Sequence, residues 1–406
     1  MFRLLKLRNF LYLFVGETIS VAGNQAYFLT LPWLILQYTG STLALGTLLT
    51  VATVPRIVLS LLGGAVSDQL PARALMIASN VSRGIAMFGL FAVLLHGTLR
   101  MWHLYFVACF FGIVEAFFAP AYATLVPRLV KHSDLDRANT LLRSASQCVV
   151  LVAPGPFGLL VAHTGIGAAF LADGFSFVFA ASTLCLVQNV RQPASALRSS
   201  RLLDRTQGFW RDVRAGLEYV WMDKAMRSVL TVYFIARMAF LGPFMVGIAA
   251  LAHERLAGGI ISLGVVLSVM SGGAMFGALS AARFRSYVGF STFLSVVLVV
   301  FSVGTLLLAL FQTMIAVVPI VFALGVGAGG INVIAFSWMQ ARSEEAFVGR
   351  VISLAMLSSA LAEPLSFAIA GILASAGIIR MFVSVSITMA LLSVLCRWNR
   401  DIHSLA

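Results

Sequence analysis

The chain has 406 residues, of which 60% are hydrophobic and 11% are charged, and its mean hydropathy is +0.97. This composition excludes an ordinary soluble domain and predicts an integral membrane protein. The formal net charge of +13 would suggest nucleic-acid binding in a soluble protein. Here the basic residues lie in short connections between apolar runs, so we attribute the charge to membrane topology and expect no nucleic-acid partner.

Twelve apolar runs follow one another along the chain. Each is about 20 residues or longer, which is the length that a helix needs to cross a bilayer, and the alternation typical of barrel strands is absent. We therefore predict an all-α membrane protein with twelve transmembrane helices. The first run has no small-residue cleavage site, so we interpret it as a retained span and not as a signal peptide. The predicted spans are 10–37, 42–67, 74–96, 101–126, 138–162, 165–188, 228–251, 260–282, 287–311, 314–338, 350–373 and 376–396.

Lysine and arginine residues predict the orientation of these spans. With a cytoplasmic N-terminus, 22 of the 28 basic residues fall in inside segments, and three fall in outside loops, namely Arg100, Arg255 and Arg380. This bias follows the positive-inside rule. We expect a multi-pass protein of the bacterial cytoplasmic (inner) membrane, with both termini in the cytoplasm.

The longest polar stretch predicts the domain boundaries. It separates an N-terminal six-helix bundle at 1–188 from a C-terminal six-helix bundle at 228–406, and we interpret 189–227 as a cytoplasmic linker. Within the linker, FWRDVRAGLEYVW at 209–221 places its apolar residues on one helical stripe. This pattern is typical of an amphipathic helix at the membrane surface, and equally of a linker helix that rests on the protein.

The two bundles also carry traces of an internal repeat. Gly64 and Gly277 stand at the ends of even-numbered spans, and Arg137 and Arg350 each begin the fifth span of a half; both pairs are separated by 213 residues. A constant offset of this kind is typical of a duplicated six-helix unit, which is common in transporters.

Residues 63–76, GGAVSDQLPARALM, resemble the loop motif Gly-x-x-x-Asp-Arg-x-Gly-Arg-Arg of the major facilitator superfamily, through Gly64, Asp68 and Arg73. More narrowly, the whole chain resembles the twelve-span macrolide-efflux-like drug:H⁺ antiporters. The segments that carry this resemblance are LPWLILQYTGSTLALG, PRIVLSLLGG, FFAPAYATLVPRLV, LADGFSF and GFWRDVRAGLEYVWMDKAMRSVL. The resemblance implies the major facilitator fold, in which two six-helix pseudo-repeats alternate around a central small-molecule site.

The resemblance also implies a gating role for the Gly64, Asp68 and Arg73 motif. Gly64 would let neighbouring helix ends approach closely. Asp68 would accept hydrogen bonds from arginines or from helix N–H groups, and so tie the two halves together while the cytoplasmic side is shut. Alternatively, Asp68 only caps the third span.

Several positions depart from the family pattern. Gln69 replaces the motif arginine, and Asn24 and Ala119 stand where the subfamily often has acids. These departures put the usual proton-coupling positions in question. The antiporter motif of the fifth span survives only as APGPFG, through Pro154, Gly155, Pro156 and Gly158.

Charged residues at bilayer depth are costly, so they are functional candidates. Glu17 and Glu115 lie on the first and fourth spans, which line the central cavity in the superfamily, and we interpret them as proton-coupling acids. Alternatively, one of them pairs with a nearby arginine for structure alone. Asp173 is a third candidate, for which a structural ion pair is favoured. Arg56 is expected to pair with Glu115 or with Asp173.

Six residues are candidates for the substrate cavity. Arg237 is the repeat-equivalent of Asn24, and it would serve either an anionic or zwitterionic substrate or Glu363 as a counter-ion. Both roles remain open. The full set is Asn24, Arg56, Arg237, Glu363, Phe28 and Trp338, of which the two aromatic residues are equally compatible with ordinary packing.

The remaining motifs indicate no nucleotide-binding, catalytic or metal site. GVGAGG at 325–330 lies inside a predicted span, so we attribute it to helix packing and not to nucleotide binding. No Walker lysine motif, G-x-S-x-G elbow, CxxC pair or HExxH pair occurs, so the sequence predicts no enzyme, no cofactor and no metal site.

These observations together predict a secondary active transporter, monomeric, whose partners are the bilayer, a small-molecule substrate and protons. Proton-coupled efflux of an amphiphilic drug-like compound is the leading interpretation. The alternatives are export of an endogenous metabolite such as a siderophore or a lipid, and uptake by a permease.

Overall fold

The structure, a computed structural model, describes residues 3–188, 214–285 and 289–398. Within those ranges the chain is helical apart from short connections. The helices are α1 (Arg8–Thr39), α2 (Thr42–Gln69), α3 (Ala72–Leu95), α4 (Met101–Leu129), α5 (Leu135–Val152), α6 (Pro154–Thr164), α7 (Ile166–Leu186), α8 (214–222), α9 (Lys224–Glu254), α10 (Ile260–Arg285), α11 (Phe290–Leu310), α12 (Met314–Arg342), α13 (Val348–Ser375) and α14 (Ile378–Trp398).

The described helices confirm the predicted membrane class. Eleven of them are long and apolar enough to cross a bilayer, and α5 with α6 supplies a twelfth span if this pair, bent by 41°, is counted as one. The bent pair corresponds to the fifth predicted span. The twelve apolar runs of the sequence therefore correspond to the observed helices.

The bend in the fifth span lies at the APGPFG motif. Pro154 is the first residue of α6, where the N–H group that proline lacks would have no helical partner in any case. The N–H group of Gly155 donates a hydrogen bond of 3.2 Å to Oγ of Ser268 on α10. A Cβ at Gly264 of α10 would run into the carbonyl group of Pro154, so this crossing requires a glycine.

The chain divides into two compact units. The first unit contains the chain up to Tyr38, the stretch from Val51 through α7, and Leu263–Ser268. The second unit contains Thr39–Thr50, the helices α8, α9 and α11 to α14, and α10 apart from Leu263–Ser268. The boundaries 1–188, 189–227 and 228–406 stay a prediction, because residues 189–213 lie outside the described ranges.

The predicted linker helix at 209–221 is described only from residue 214 onwards. There the chain is helical, and the ring of Tyr219 stacks on Phe347 with centroids 4.4 Å apart. The hydroxyl oxygen of Tyr219 also accepts a hydrogen bond of 3.1 Å from the backbone N–H of Glu344. The described part of this helix thus rests on the second unit.

Asp223 caps the N-terminus of α9 and also links this helix to α12 by hydrogen bonds. Its Oδ1 atom accepts hydrogen bonds from the N–H groups of Ala225 and Met226, and its Oδ2 atom accepts one of 2.6 Å from Nε of Arg342. Partial burial opposes ionisation of this carboxyl, but the hydrogen bonds and the charge of Arg342 outweigh it. The pKa of Asp223 therefore lies below its ordinary value of 3.8.

Glycines set the closest helix crossings of the first unit. A Cβ at Gly23 of α1 would lie 2.6 Å from the Cβ of Ser176 and 2.7 Å from Oδ1 of Asp173, both on α7. A Cβ at Gly112 of α4 would run into the carbonyl group of Ala52 on α2. Small residues thus allow helix backbones to approach closely, as is usual inside membranes.

The close approach that the sequence assigned to Gly64 belongs to its neighbour. Within the described part of the chain, a Cβ at Gly64 would meet no atom within 4 Å, whereas one at Gly63 would run into the carbonyl group of Ala116 on α4. Successive helical residues point about 100° apart, so an error of one residue turns a packed face into an open one. In this structure the close approach is therefore made by Gly63, and the role of Gly64 in the gating motif stays a prediction.

The second unit repeats the glycine crossing of the first. Gly325 follows Gly112 by 213 residues, and a Cβ there would run into the carbonyl group of Met270 on α10. Gly329 meets the backbone of Ala274 in the same way. The GVGAGG stretch is therefore a helix-packing site, as the sequence predicted.

Two glycine substitutions should change the stability in opposite directions. Gly89 of α3 has open space around it, so Gly89→Ala should stabilise the protein by about 0.5–1 kcal/mol through helix propensity. Gly23→Ala should destabilise it by about 1–3 kcal/mol, because the new methyl group separates α1 from α7. Thermal unfolding of the purified protein in detergent measures both changes, and stabilisation by both would contradict this account of the crossing.

Candidate functional site

Arg83 is the central charge of the first unit. Its side chain, on α3, is only 3% exposed, and its Nη2 atom lies 2.6 Å from Oε2 of Glu115 on α4. The guanidinium group also lies 4.9 Å from the ring centroid of Phe118, 5.8 Å from that of Phe111 and 5.6 Å from that of Phe177. Three aromatic rings and one carboxylate thus compensate the loss of water around the cation.

Asp173 on α7 is the most deeply buried acid among the described residues, with none of its surface exposed. Its Oδ1 atom accepts a hydrogen bond of 3.4 Å from Oγ of Ser176, and its Oδ2 atom has no hydrogen-bond partner in the described part of the chain. Arg83 lies within electrostatic range of this carboxyl. A buried carboxyl needs a cation or a proton to compensate its charge, and Arg83 offers the cation.

Glu17 on α1 completes the set of acids around Arg83. It is partly buried, and it lies within electrostatic range of both Glu115 and Arg83. Glu115 itself is 40% exposed, whereas Asp173 is fully enclosed. Arg83 is therefore shared by three carboxyls that differ in their access to solvent.

Two neutral polar side chains extend this group. The hydroxyl group of Tyr27 and both amide atoms of Asn80 are buried without a hydrogen-bond partner among the described residues. The ring of Tyr27 stacks on Phe111 at 4.6 Å, and Asn80 lies on the same face of α3 as Arg83 because the two are three residues apart. We name the whole set the Arg83 cluster: Glu17, Tyr27, Asn80, Arg83, Glu115 and Asp173.

A second ion pair lies in the second unit. Nη2 of Arg237 on α9 donates to Oε1 of Glu363 on α13 at 3.3 Å, and both side chains are mostly buried. The structure thus brings together the two residues that the sequence considered as counter-ions. This pair neutralises both charges.

An aromatic pocket of about 160 Å³ adjoins Arg237. The ring of Phe240 stacks on that of Phe301 with centroids 4.4 Å apart and an angle of 7° between the planes. At the polar edge of the pocket, the hydroxyl group of Tyr233 donates to Oδ1 of Asn332 at 3.1 Å. The pocket therefore combines flat apolar walls with a few polar groups, as small-molecule sites usually do.

A hydroxyl group bridges the backbone of α9 beside this pocket. The N–H group of Gly242 donates to Oγ of Ser366 on α13 at 2.6 Å, and the same hydroxyl donates to the carbonyl oxygen of Met238 at 2.5 Å. Gly242 and Met238 are four residues apart, so Ser366 takes the place of the ordinary helical hydrogen bond. Such an insertion is a known cause of local helix bending.

Comparison with known proteins identifies the family. The sequence profile described as Major Facilitator Superfamily matches residues 13–367. The chain belongs to the Major Facilitator Superfamily. Among curated relatives, the multidrug efflux pump Tap of Mycolicibacterium fortuitum is 26% identical over 392 residues, which cover 95% of this chain and 93% of that protein. An uncharacterized MFS-type transporter, y4rN, of Sinorhizobium fredii is 26% identical over 415 residues, with 96% and 94% covered.

Solved structures agree with this membership of the Major Facilitator Superfamily. The nucleoside transporter NupG superposes with a TM-score of 0.77 at 14% identity and covers 98% of both chains. A bacterial homologue of the iron transporter ferroportin, in an inward-facing state, gives a TM-score of 0.72 at 15% identity, with 97% and 99% covered. At such identities the likeness shows the fold alone. These relatives and neighbours are transporters, so the chain is a transporter and not an enzyme.

The structure shows where this superfamily member carries its predicted acids. Glu115 forms an ion pair with Arg83, and Glu17 and Asp173 lie within electrostatic range of the same guanidinium; the pairing of Arg56 with Glu115 or Asp173 stays a prediction. Arg83 lies on α3, and Arg56 lies on α2, close to Gly112 of α4. The direction in which each helix faces decides the pairing, and spacing along the chain does not record it.

The predicted gating motif is only partly described. Nε and Nη2 of Arg73 donate to the carbonyl oxygens of Leu184 and Cys185 at 2.8 and 2.7 Å, so this arginine caps the end of α7. The side chain of Asp68 lies outside the described part of the chain. Its role in gating stays a prediction.

Three further cavity candidates do not line the aromatic pocket. Asn24 is partly buried on α1, and Phe28 is 59% exposed with its ring edge against Tyr27. Trp338 stacks on Phe290 at 4.8 Å and does not line the pocket. Substrate contact by these three residues stays a prediction.

Sequence reasoning missed the neutral members of both sites. Tyr27, Asn80, Phe240, Asn332 and Ser366 carry no charge, so a search for ionisable residues in apolar runs passed over them. Asn80 gave a usable signal, because an amide three residues before a buried arginine shares its helix face. The aromatic residues gave no usable signal, because a single phenylalanine does not stand out in a chain that contains 31 of them.

Removal of the Arg83 side chain should destabilise the fold strongly. Arg83→Ala leaves Glu115 and Asp173 without their shared cation, and we expect the free energy of unfolding to fall by about 3–5 kcal/mol. The matched control Arg137→Ala removes an exposed arginine whose Nη1 atom lies 3.3 Å from Oδ1 of Asp134, and it should cost less than about 1 kcal/mol. Thermal unfolding in detergent compares the two, and an equally small loss in both would argue against the central role of Arg83.

Proposed function

We propose that this transporter couples the efflux of amphiphilic drug-like compounds to the proton gradient and works by alternating access. The observation that carries the proposal is the Arg83 cluster, in which one buried guanidinium is shared by Glu115, Glu17 and Asp173. Acids inside transmembrane segments commonly form proton pathways. The efflux function named for the Tap relatives supports the choice of substrate and of direction.

The proton step follows from the difference in exposure among the three acids. Glu115 is the solvent-accessible partner of Arg83, so a proton that reaches Glu115 neutralises it and weakens the 2.6 Å ion pair. Arg83 is then drawn towards Asp173, whose Oδ2 atom has no hydrogen-bond partner among the described residues. A buried charge that loses its partner is costly by about 3–5 kcal/mol, which is enough to favour one arrangement of the helices over another.

The aromatic pocket is the proposed contact for the apolar part of the substrate. Its volume of about 160 Å³ is smaller than the ~300–1,000 Å³ of sites that enclose a drug-sized molecule. It can therefore hold one ring system of an amphiphile and leave the rest of the molecule outside. Stacking on Phe240 and hydrogen bonding to Asn332 would orient that ring.

A second candidate function rests on the Arg237–Glu363 pair. Its two opposite charges beside the pocket could bind the complementary charges of a zwitterion, which favours export of an endogenous metabolite. In either case we propose a location in the bacterial cytoplasmic membrane with both termini in the cytoplasm. The bacterial relatives and the distribution of basic residues support this location.

Loss of a proton-coupling acid should uncouple transport without blocking it. In vesicles that contain the purified protein, Glu115→Gln or Glu17→Gln should abolish accumulation of ethidium driven by a pH gradient, because the neutral amide cannot exchange a proton. Downhill ethidium flux should persist. Glu218→Gln, which removes an exposed acid 2.9 Å from Arg214, should behave like the wild type. Normal gradient-driven accumulation in both Glu115→Gln and Glu17→Gln would refute the assignment.

The pocket and the ion pair can be tested separately. Phe240→Ala should weaken ethidium binding about tenfold through lost stacking and lost contact area. Phe276→Ala, on an exposed face of α10, should leave binding unchanged. Arg237→Ala should weaken the binding of an anionic or zwitterionic compound much more than that of ethidium. Fluorescence titration of the purified variants measures these affinities. If Phe240→Ala and Arg237→Ala bound their ligands as tightly as Phe276→Ala does, the pocket would have no part in the mechanism.

A further inference from the structure

A cleft of about 590 Å³ lies between the beginning of α9 and the end of α14 in the second unit. Its walls are mainly apolar, with Val232 and Ile235 on α9 and Leu392 and Leu395 on α14. The cleft lies along the N-terminal part of α9 and the C-terminal part of α14, at the end that the charge pattern places in the cytoplasm. Neither the Arg83 cluster nor the aromatic pocket includes any of these residues.

Arg227 supplies the charge at the mouth of this cleft. Its guanidinium lies 5.4 Å from the ring centroid of Trp221, and Nη1 donates a hydrogen bond of 3.5 Å to the carbonyl oxygen of the same residue. Within the described ranges no carboxylate pairs with Arg227. The nearest acid in the sequence, Asp223, is held by Arg342 at 2.6 and 3.2 Å. Arg227 therefore keeps its charge available for an external anion.

Two tryptophans flank the charged mouth. Trp221 is 66% exposed and Trp398 is 80% exposed, and both line the cleft. Tryptophan is enriched where a membrane protein meets lipid headgroups, because its ring is apolar and its N–H group is polar. The cleft thus has an apolar floor, an aromatic rim and a cationic mouth, which suit the acyl chain, the glycerol region and the phosphate of a phospholipid.

We propose that this cleft binds one anionic phospholipid, with its phosphate on Arg227 and one acyl chain along Val232, Ile235, Leu392 and Leu395. Anionic lipids concentrate near basic residues at the cytoplasmic surface, so the ligand is abundant where the site lies. This inference does not depend on the proposed transport function.

A phospholipid fits these features better than the two other possible occupants. A free anion such as phosphate would use Arg227 alone and would leave the apolar walls without a partner. The chain's own segment 399–406 contains a single acid, Asp401, next to the basic Arg400, and it has few large apolar side chains to fill the cleft. Only a ligand that is both anionic and long-chained matches the charge and the walls together.

Native mass spectrometry of the full-length protein tests the site. With equal amounts of phosphatidylglycerol and phosphatidylcholine, the wild type should retain phosphatidylglycerol about tenfold more than phosphatidylcholine, as one charge-assisted contact provides. Arg227→Ala should abolish this preference, and Arg227→Lys should keep part of it. Arg380→Ala, which removes an exposed arginine from the opposite end of α14, should keep the preference unchanged. Retention of the full preference by Arg227→Ala would overturn the proposal.

Three further measurements separate the occupants. Leu395→Trp should fill the apolar floor and reduce the retention of both lipids, and wild-type retention in this variant would overturn the acyl-chain assignment. Excess inorganic phosphate should not displace phosphatidylglycerol; displacement would identify a free-anion site instead. A chain that ends at Trp398 should bind phosphatidylglycerol as the wild type does. Binding that appears only after this truncation would show that the chain's own C-terminus occupies the cleft.

Discussion

The cost of burying charge in a bundle of apolar helices is the constraint on which the first unit depends. Arg83 satisfies it through one carboxylate at 2.6 Å and three aromatic rings, which together take the place of water around the guanidinium. Asp173 satisfies it only incompletely, because one carboxyl oxygen has no partner among the described residues. The excess of acids over this cation is the reason for the proposed proton step.

Close helix packing makes this arrangement possible. Gly23 brings α1 against α7 beside Asp173, and Gly112 and Gly63 bring α2 against α4 near Glu115. Because the glycines at these crossings carry no side chains, the helices pack closely. The polar groups of α1, α3, α4 and α7 can then lie in one small volume. The same glycines make the site sensitive to helix movement, since a shift of one helix changes the distances between charges whose interaction is strong in a low-dielectric interior.

The two units have different chemical characters. The first gathers carboxyls around a shared cation, whereas the second holds a neutralised pair, Arg237 and Glu363, beside an aromatic pocket. This difference is the basis of the proposal that protons bind in the first unit and substrate in the second. The hydroxyl of Ser366, inserted into the backbone of α9, provides a point at which such a helix can bend without losing its hydrogen bonds.

The sequence by itself determined the number and type of the helices, because bilayer thickness and backbone hydrogen bonding leave a long apolar run no other solution. It also located the acids, since a charge in an apolar run is conspicuous. Only the tertiary structure decided that Glu115 lies against Arg83, and that Gly63 and not Gly64 makes the close crossing in this structure. Both depend on the direction in which a side chain leaves its helix relative to the next helix. Packing between helices fixes that direction, and a single sequence does not record it.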